Sequence, residues 1–320
     1  MEDKKRQSTV SCVLLGVMAG ASALACSSPL MSPNLDGAVS GAPAWSLAGP
    51  AAAFPPRMSH LGLVFDNRIW IMGGQGSDGT LRNDVWSSGD GVAWTMATAA
   101  AAWSPRELTA GVVYQNKMWM IDGSPRSSEV WTSTDGATWT SVTQAAPFSA
   151  RYGHCTLVHN DKIWILGGYG ASGADLNDVW SSTDGATWAR ATPAAAWSPR
   201  SNFGCVVHAG KMWVIDGARQ GDVWTSTDGV TWTAVTPTMP FVASLTLATV
   251  VWRGEIWTLG GYDILGQPIN AVFHSPDGVA WTRMADVPWS PRTFGAAVVF
   301  TDKVWLIDGD VRLGEVWKME

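Results

Sequence analysis

One phrase is written three times almost unchanged: EVWTSTDGATW at 129–139, DVWSSTDGATW at 178–188 and DVWTSTDGVTW at 222–232. A chain that repeats itself at a period of 20–50 residues folds as copies of one supersecondary unit that bury their apolar faces on each other. This feature therefore bounds the architecture before any single residue is weighed. Alignment on the first Trp of each unit gives six copies, Trp70, Trp119, Trp164, Trp213, Trp257 and Trp305, spaced 44–49 residues apart. Thirteen residues earlier stand Arg57, Arg106, Arg151, Arg200, Ser244 and Arg292, so repeats start near 57, 106, 151, 200, 244 and 292. Eight residues after that point comes an aromatic ring in every copy: Phe65, Tyr114, His159, His208, Trp252 and Phe300.

Each unit holds four short runs rich in Val, Ile, Trp and Thr, separated by turn residues and without helical periodicity. The Asp-Gly pair before the last Trp is a tight-hairpin signal, because Gly takes the positive φ such turns require. Four antiparallel strands repeated six times predict an all-β chain folded as a six-bladed β-propeller. The sixth copy ends at EVWKME and lacks a fourth strand. APAWSLAGPAAAFPPR (42–57) aligns with ATWARATPAAAWSPR (186–200), placing Trp45 on Trp188 and Arg57 on Arg200. The N-terminal strand is thus expected to complete the last blade, over a domain spanning 43–320, and so remove the exposed sheet edges.

The copies also alternate. The first, third and fifth carry Gly-Gly after the second strand (Gly73-Gly74, Gly167-Gly168, Gly260-Gly261), and the others carry Asp122, Asp216 and Asp308. Three residues before the Arg position the series runs Phe54, Trp103, Phe148, Trp197, Phe241, Trp289. A pair of blades, written three times, is the unit of duplication.

Residues 1–25 read as an export signal: a positive MEDKKRQ, an apolar VSCVLLGVMAGASA and a small-residue close at ALAC. Cys26 directly after it makes the segment resemble a bacterial lipoprotein signal, with Cys26 lipidated, although Ala23 stands where Leu is usual. The stretch 26–42, rich in Ser, Pro and Gly, reads as a flexible tether. This places the protein in the cell envelope on a lipid anchor, or secreted if Cys26 is not modified. Cys155 and Cys205 then remain in an oxidising setting, in the first strands of adjacent blades, where they could be bridged. A net charge of −6 with no Lys/Arg-rich run gives no electrostatic reason to expect nucleic acid as a partner.

The Pro-Arg before a first strand, KIWILGG ending the second, NDVW opening the third and a Trp in the fourth resemble Kelch repeats. The resemblance covers about 43–320 and implies a six-bladed Kelch-like propeller with a binding role. The phrase STDGATW is also similar to the Asp-box of sialidases, which is itself a structural hairpin.

Strands one and two form a hairpin, so the Arg and Gly-Gly/Asp-Gly positions should meet at one mouth of the central channel. A concave, polar and aromatic mouth is the default ligand site in such a fold. The candidate ligand-binding residues are Arg57, Arg106, Arg151, Arg200 and Arg292, as an anion funnel, with Trp103, Trp197 and Trp289 as stacking surfaces. The bland alternatives are Arg paired with Asp122, Asp216 and Asp308, and aromatics wedged between blades. Three Asp cannot serve five Arg, which leaves Arg57 and Arg151 for a ligand. His60 and His154 share a position where Thr109, Phe203, Leu247 and Gly295 stand in other copies, so that position does not demand His.

Enzyme readings come from resemblance alone. Galactose oxidase wants a Tyr/His copper site, for which Tyr152-Gly153-His154-Cys155 is the suggestive cluster here. Sialidases want an Arg triad with a Tyr–Glu pair. The exported sialic-acid mutarotase, the best match in size, wants a Glu and an Arg, for which Glu107, Arg106 and Glu255 are the candidates. No catalytic residue, metal or cofactor is assigned from spacing. The expectation is a monomeric, non-catalytic propeller that binds a protein, a carbohydrate or an anionic ligand.

Overall fold

A computed structural model describes residues 43–49, 51–217, 220–237, 248–263, 265–285, 287–311 and 313–320. The export signal 1–25, the tether 26–42 with Cys26, and Phe241, Ser244 and Leu247 lie outside the described residues. All regular structure within them is strand, arranged as six antiparallel four-stranded blades, one carrying an added short strand, and a separate two-stranded pair of Arg57–Met58 with Gln75–Gly76. Blade one runs Leu61–Phe65, Arg68–Met72, Val85–Ser88 and Trp94–Thr98 from the channel outward. Blades two to five repeat this order, and the first strands pack one against the next around the ring.

The sixth sheet orders Ala296–Phe300, Lys303–Ile307, Val316–Met319 and then Trp45–Gly49. Trp45 lies opposite Met319 and Leu47 opposite Trp317, so the N-terminal strand closes the ring as its sequence alignment required.

Each blade is buried on both faces, which is why second strands such as KMWMI and KVWLI read as unbroken apolar runs. The core is accordingly divided among the six blade interfaces. Within them every second-strand Trp plays one part. Its indole N–H donates to the carbonyl of the aromatic residue five positions earlier, as Trp70 does to Phe65 and Trp119 to Tyr114, both at 2.9 Å. That satisfies the polar end of a buried ring. The ring face is then capped by the Gly of the next blade's Asp-Gly turn. A Cβ on Gly136 would stand 2.0 Å from Trp70, and one on Gly185 would stand 2.1 Å from Trp119. Gly229 on Trp164, Gly278 on Trp213 and Gly91 on Trp305 repeat the contact.

The repeated phrase is self-contained. Ser182 Oγ accepts from the Gly185 N–H at 2.8 Å, and Asp184 Oδ1 accepts from Ala186 and Thr187 N–H at 2.9 and 2.7 Å. Trp188 closes the turn by donating to the Gly185 carbonyl. The same bonds hold Asp90, Asp135, Asp228 and Asp277. Backbone N–H donors hold all five carboxyls below the usual range. The phrase builds turns, and its acids take no part in a site.

Candidate binding site at the channel mouth

The Arg residues lie at the expected end of the ring, but as framework. All five side chains are buried. Arg57 forks onto Asp84 at 2.7 and 2.8 Å, Arg151 onto Asp178 at 2.7 and 2.9 Å, and Arg200 onto Asp222 at 2.6 and 3.0 Å. Arg106 meets Glu129 at 2.6 Å and Arg292 meets Glu315 at 2.7 Å. The remaining donors go to carbonyls, in Arg57 those of Pro55 and Gly73, and in Arg106, Arg200 and Arg292 also to the hydroxyls of Ser104, Ser198 and Ser290. No guanidinium is left for an anion, so the funnel expected of Arg57, Arg106, Arg151, Arg200 and Arg292 is replaced by five closed ion pairs.

Their partner is the acid that opens the third strand, two residues before its Trp, and is not Asp122, Asp216 or Asp308. That same acid also accepts the indole N–H of Trp86, Trp131, Trp180, Trp224 or Trp317. The signal was present in the sequence. The one copy with Ser244 in place of Arg has Ala271 in place of the acid and Phe273 in place of the Trp, so the three change together. Against the opposing effect of burial, Arg pairing holds the carboxyls of Asp84, Asp178 and Glu315 below their usual values, and the Trp131 indole followed by Arg106 does the same for Glu129.

Asp122 and Asp308 are buried clamps between blades. Asp122 accepts the backbone N–H of Arg151 and of Ser127, and Asp308 accepts those of Arg57, Leu313 and Gly314. Burial pushes Asp122 up and Asp308 up to about 6.

Trp103, Trp197 and Trp289 are 0–1% exposed and cannot stack on a ligand. Each stands edge-on to the fourth-strand Trp of the blade it enters. The pairs are Trp103 on Trp139 at 6.0 Å, Trp197 on Trp232 at 5.9 Å and Trp289 on Trp45 at 5.9 Å. Phe54 and Phe148 do the same against Trp94 and Trp188. The Phe/Trp series is the wedge between blades. Cys155 and Cys205 form a disulfide between the first strands of blades three and four, with Cα atoms 6.4 Å apart.

What lines the mouth is the pair of residues after each Arg-x. Ser59, Leu108, Gly153, Asn202 and Phe294 all have positive φ, and they link blade to blade by backbone bonds. Ser59 N–H donates to Phe294, Leu108 to Ser59, Gly153 to Leu108 and Asn202 to Gly153, at 2.8–3.1 Å. The turned backbone presents the next residue, His60, Thr109, His154, Phe203 or Gly295, to a cavity of about 160 Å³. Gly74 and Gly168 make room for this: a Cβ there would fall 2.8 Å from His60 Cβ and 2.6 Å from His154 Cβ.

His60 and His154 are 7% exposed, and neither ring nitrogen of either has a partner among the described residues. Burial, and then the charge of Arg57 or Arg151, lowers both to about 3. They are neutral rings at ordinary pH, too weakly basic to take a substrate proton. Among the described residues no three acidic, His or Cys side chains group as a metal site. Glu107 follows Arg106 at the mouth, whereas Glu255 lies at the other end of its blade, bonded to His274 Nδ1 at 2.6 Å. The structure does not bring them together.

Outside the cavity, the loops of blades two and three build a feature that the sequence reading passed over. Arg126 lies 5.5 and 5.6 Å from the rings of Tyr152 and Tyr169, and it donates to the Gly170 carbonyl. Arg126 is exposed and both Tyr are part-exposed.

No curated protein matches the chain. The family model for the Kelch motif matches residues 150–181, which run from the Arg151 start of blade three through its third strand. That blade has the same strand order, Arg–acid–Trp triad and Asp-Gly turn as its neighbours, so the chain is a six-bladed β-propeller whose third blade carries a Kelch motif.

Proposed function

We propose that this protein is a non-catalytic docking propeller that holds a polypeptide partner on the mouth end of its ring, beside blade three. Binding and scaffolding are the general roles of the Kelch propeller fold. The observation that carries the finer reading is Arg126 against the Tyr152–Tyr169 pair, an exposed cation beside two rings whose centroids are 5.3 Å apart. Arg and Tyr are residue types enriched among those that dominate binding energy at protein interfaces, and an exposed guanidinium beside aromatic rings keeps donors for a partner's carboxylate. A carbohydrate-active reading, mutarotase-like or otherwise, has less support, because the Arg residues it would use are closed into ion pairs.

The test is a photo-crosslinker at position 169, compared with one at the exposed Met96 in a fourth strand. One defined polypeptide crosslinked from 169 alone, and lost when Arg126→Ala and Tyr152→Ala are combined without change in melting temperature, is the expected result. Equal yields from both positions would overturn the reading.

The same proposal places the propeller, as a single chain, in the cell envelope on a lipid at Cys26. Radiolabelled fatty acid should enter the wild-type protein and not the Cys26→Ser variant. Equal incorporation, or none in either, would remove the anchor.

A further inference from the structure

The ring has one irregular interface, between blades five and six. In the other five, an Asp-Gly turn of the following blade lays its Gly on the second-strand Trp. Blade six pairs Val316–Met319 with Trp45–Gly49, strands far apart in sequence, so no hairpin turn joins them and, among the described residues, none reaches Trp257. In its place a cavity of about 520 Å³ opens, lined by Pro43, Arg253, Glu255, His274, Met284 and the two Trp, 252 and 257.

Three substitutions of contact mark this notch. The ring over Trp257 is that of His274, stacked at 4.4 Å and 15°, where the other blades place Ser, Thr or Lys opposite the Trp. His274 is a quarter exposed and is held by Glu255. The residue at the end of the first strand also bonds differently. Tyr114, His159 and His208 each bond the carbonyl just before the Asp of the neighbouring turn, at Thr183, Thr227 and Pro276. Trp252 donates to the Asp302 carbonyl of the neighbouring hairpin turn at 3.0 Å, as Tyr114 also does to that of Asp161 at 2.7 Å, and has no bond to an Asp-Gly turn among the described residues. Finally, Arg253 lies 4.1 Å over Trp252 at the rim, its side chain 37% exposed and paired at 3.4 Å with the exposed Asp302.

We propose that this notch receives an Asp-Gly β-turn from a partner polypeptide, which displaces His274 and lays its glycine on Trp257. The five internal turns are five examples of that contact. Each turn is hydrogen-bonded within itself and needs nothing from its own blade to keep its shape. The Asp of an incoming turn replaces the exposed Asp302 as the partner of Arg253 in a charge-assisted bond. A second copy of this chain is not the donor, because its own turn glycines are already seated on its own Trp rings.

The probe is a backbone-cyclised hairpin carrying Ser-Thr-Asp-Gly-Ala-Thr, titrated by fluorescence anisotropy against the full chain. Saturable binding is expected, about tenfold tighter to the His274→Ser variant, which removes the competing ring and installs a residue other blades use there. Binding should weaken at least about tenfold with a Gly→Ala probe, whose Cβ would enter the indole, and again with Arg253→Glu. No binding by the wild type up to about 1 mM would overturn the proposal. So would binding confined to His274→Ser, since the native ring would then be a permanent cap. Indifference to both the Gly→Ala probe and Arg253→Glu would overturn it too. Anisotropy unmoved by the hairpin while glycans bind the notch would reassign it to sugars.

Discussion

Two neutral histidines at the channel mouth should make the propeller acid-labile in a pH range where its ion pairs are still intact. His60 and His154 are held at about 3, against 6.5 for an unfolded chain. The folded form therefore binds fewer protons than the unfolded form between those values. Stability is full above pH 6.5 and falls as pH drops toward 3, by about 1.4 kcal/mol per pH unit for each ring. From pH 6.5 to 4.5 the pair costs about 5 kcal/mol. Asp308 works in the opposite sense, because its folded value of about 6 exceeds the unfolded 3.8. It returns about 2 kcal/mol over the same range, and Asp122 is raised too. The carboxyls lowered by Arg pairing act only below about pH 4.5. The wild type should thus lose about 3 kcal/mol on acidification to pH 4.5. The combined His60→Phe and His154→Phe variant should gain about 2, since blade four already places Phe203 at this position. Urea unfolding at the two pH values measures both. Equal losses in parent and variant, or ring NMR signals titrating between pH 6 and 7, would refute the reasoning by showing that water reaches the imidazoles.

Arg151→Ala should cost about 3–5 kcal/mol in urea unfolding by leaving Asp178 unpaired, and Arg151→Lys should recover little, because an ammonium cannot fork onto both oxygens and still reach the Gly167 carbonyl. Gly79→Ala, at positive φ with nothing within 4 Å, should cost only the backbone strain of about 1–2 kcal/mol. Gly185→Ala adds a collision with Trp119 and should cost about 1–3 kcal/mol more, which the difference in melting temperature between the two variants will show. Replacing Cys155 and Cys205 together by Ser opens a crosslink spanning 50 residues and should lower stability by up to about 4 kcal/mol, read by the same unfolding experiment.

The blades were legible because six imperfect copies agree on strand, turn and aromatic positions, and the closure was legible because 42–57 still aligns with 186–200. The site was not. Alignment places Arg57 and Asp308 at one end of their blades, but it does not say how far a guanidinium reaches or which carboxylate lies in its plane. The acid it takes, Asp84, opens the third strand in the run NDVW, and nothing in that run marks it as the partner of an Arg. The joint loss of Arg, acid and Trp in the fifth copy was the missed clue. His60 and His154 were visible as a shared position, but the burial that silences their charge depends on the turn of the backbone at Ser59 and Gly153. Arg126 stands in the loop between second and third strands, where the alternate copies carry Arg219 and Arg312, so the repetition marks the Arg but not the Tyr152 and Tyr169 rings it meets.

Six alike blades alone would look the same after every sixth of a turn, and a partner meeting such a ring could settle on it in six equivalent ways. Alternation of Gly-Gly and Asp-Gly blades reduces the six settings to three. The seam, where strands from distant parts of the chain meet beside Trp257, removes the rest. Closing the ring with a borrowed strand therefore does more than hide an edge: it gives a nearly symmetric body a heading, so that whatever reads that face can approach it from one bearing only.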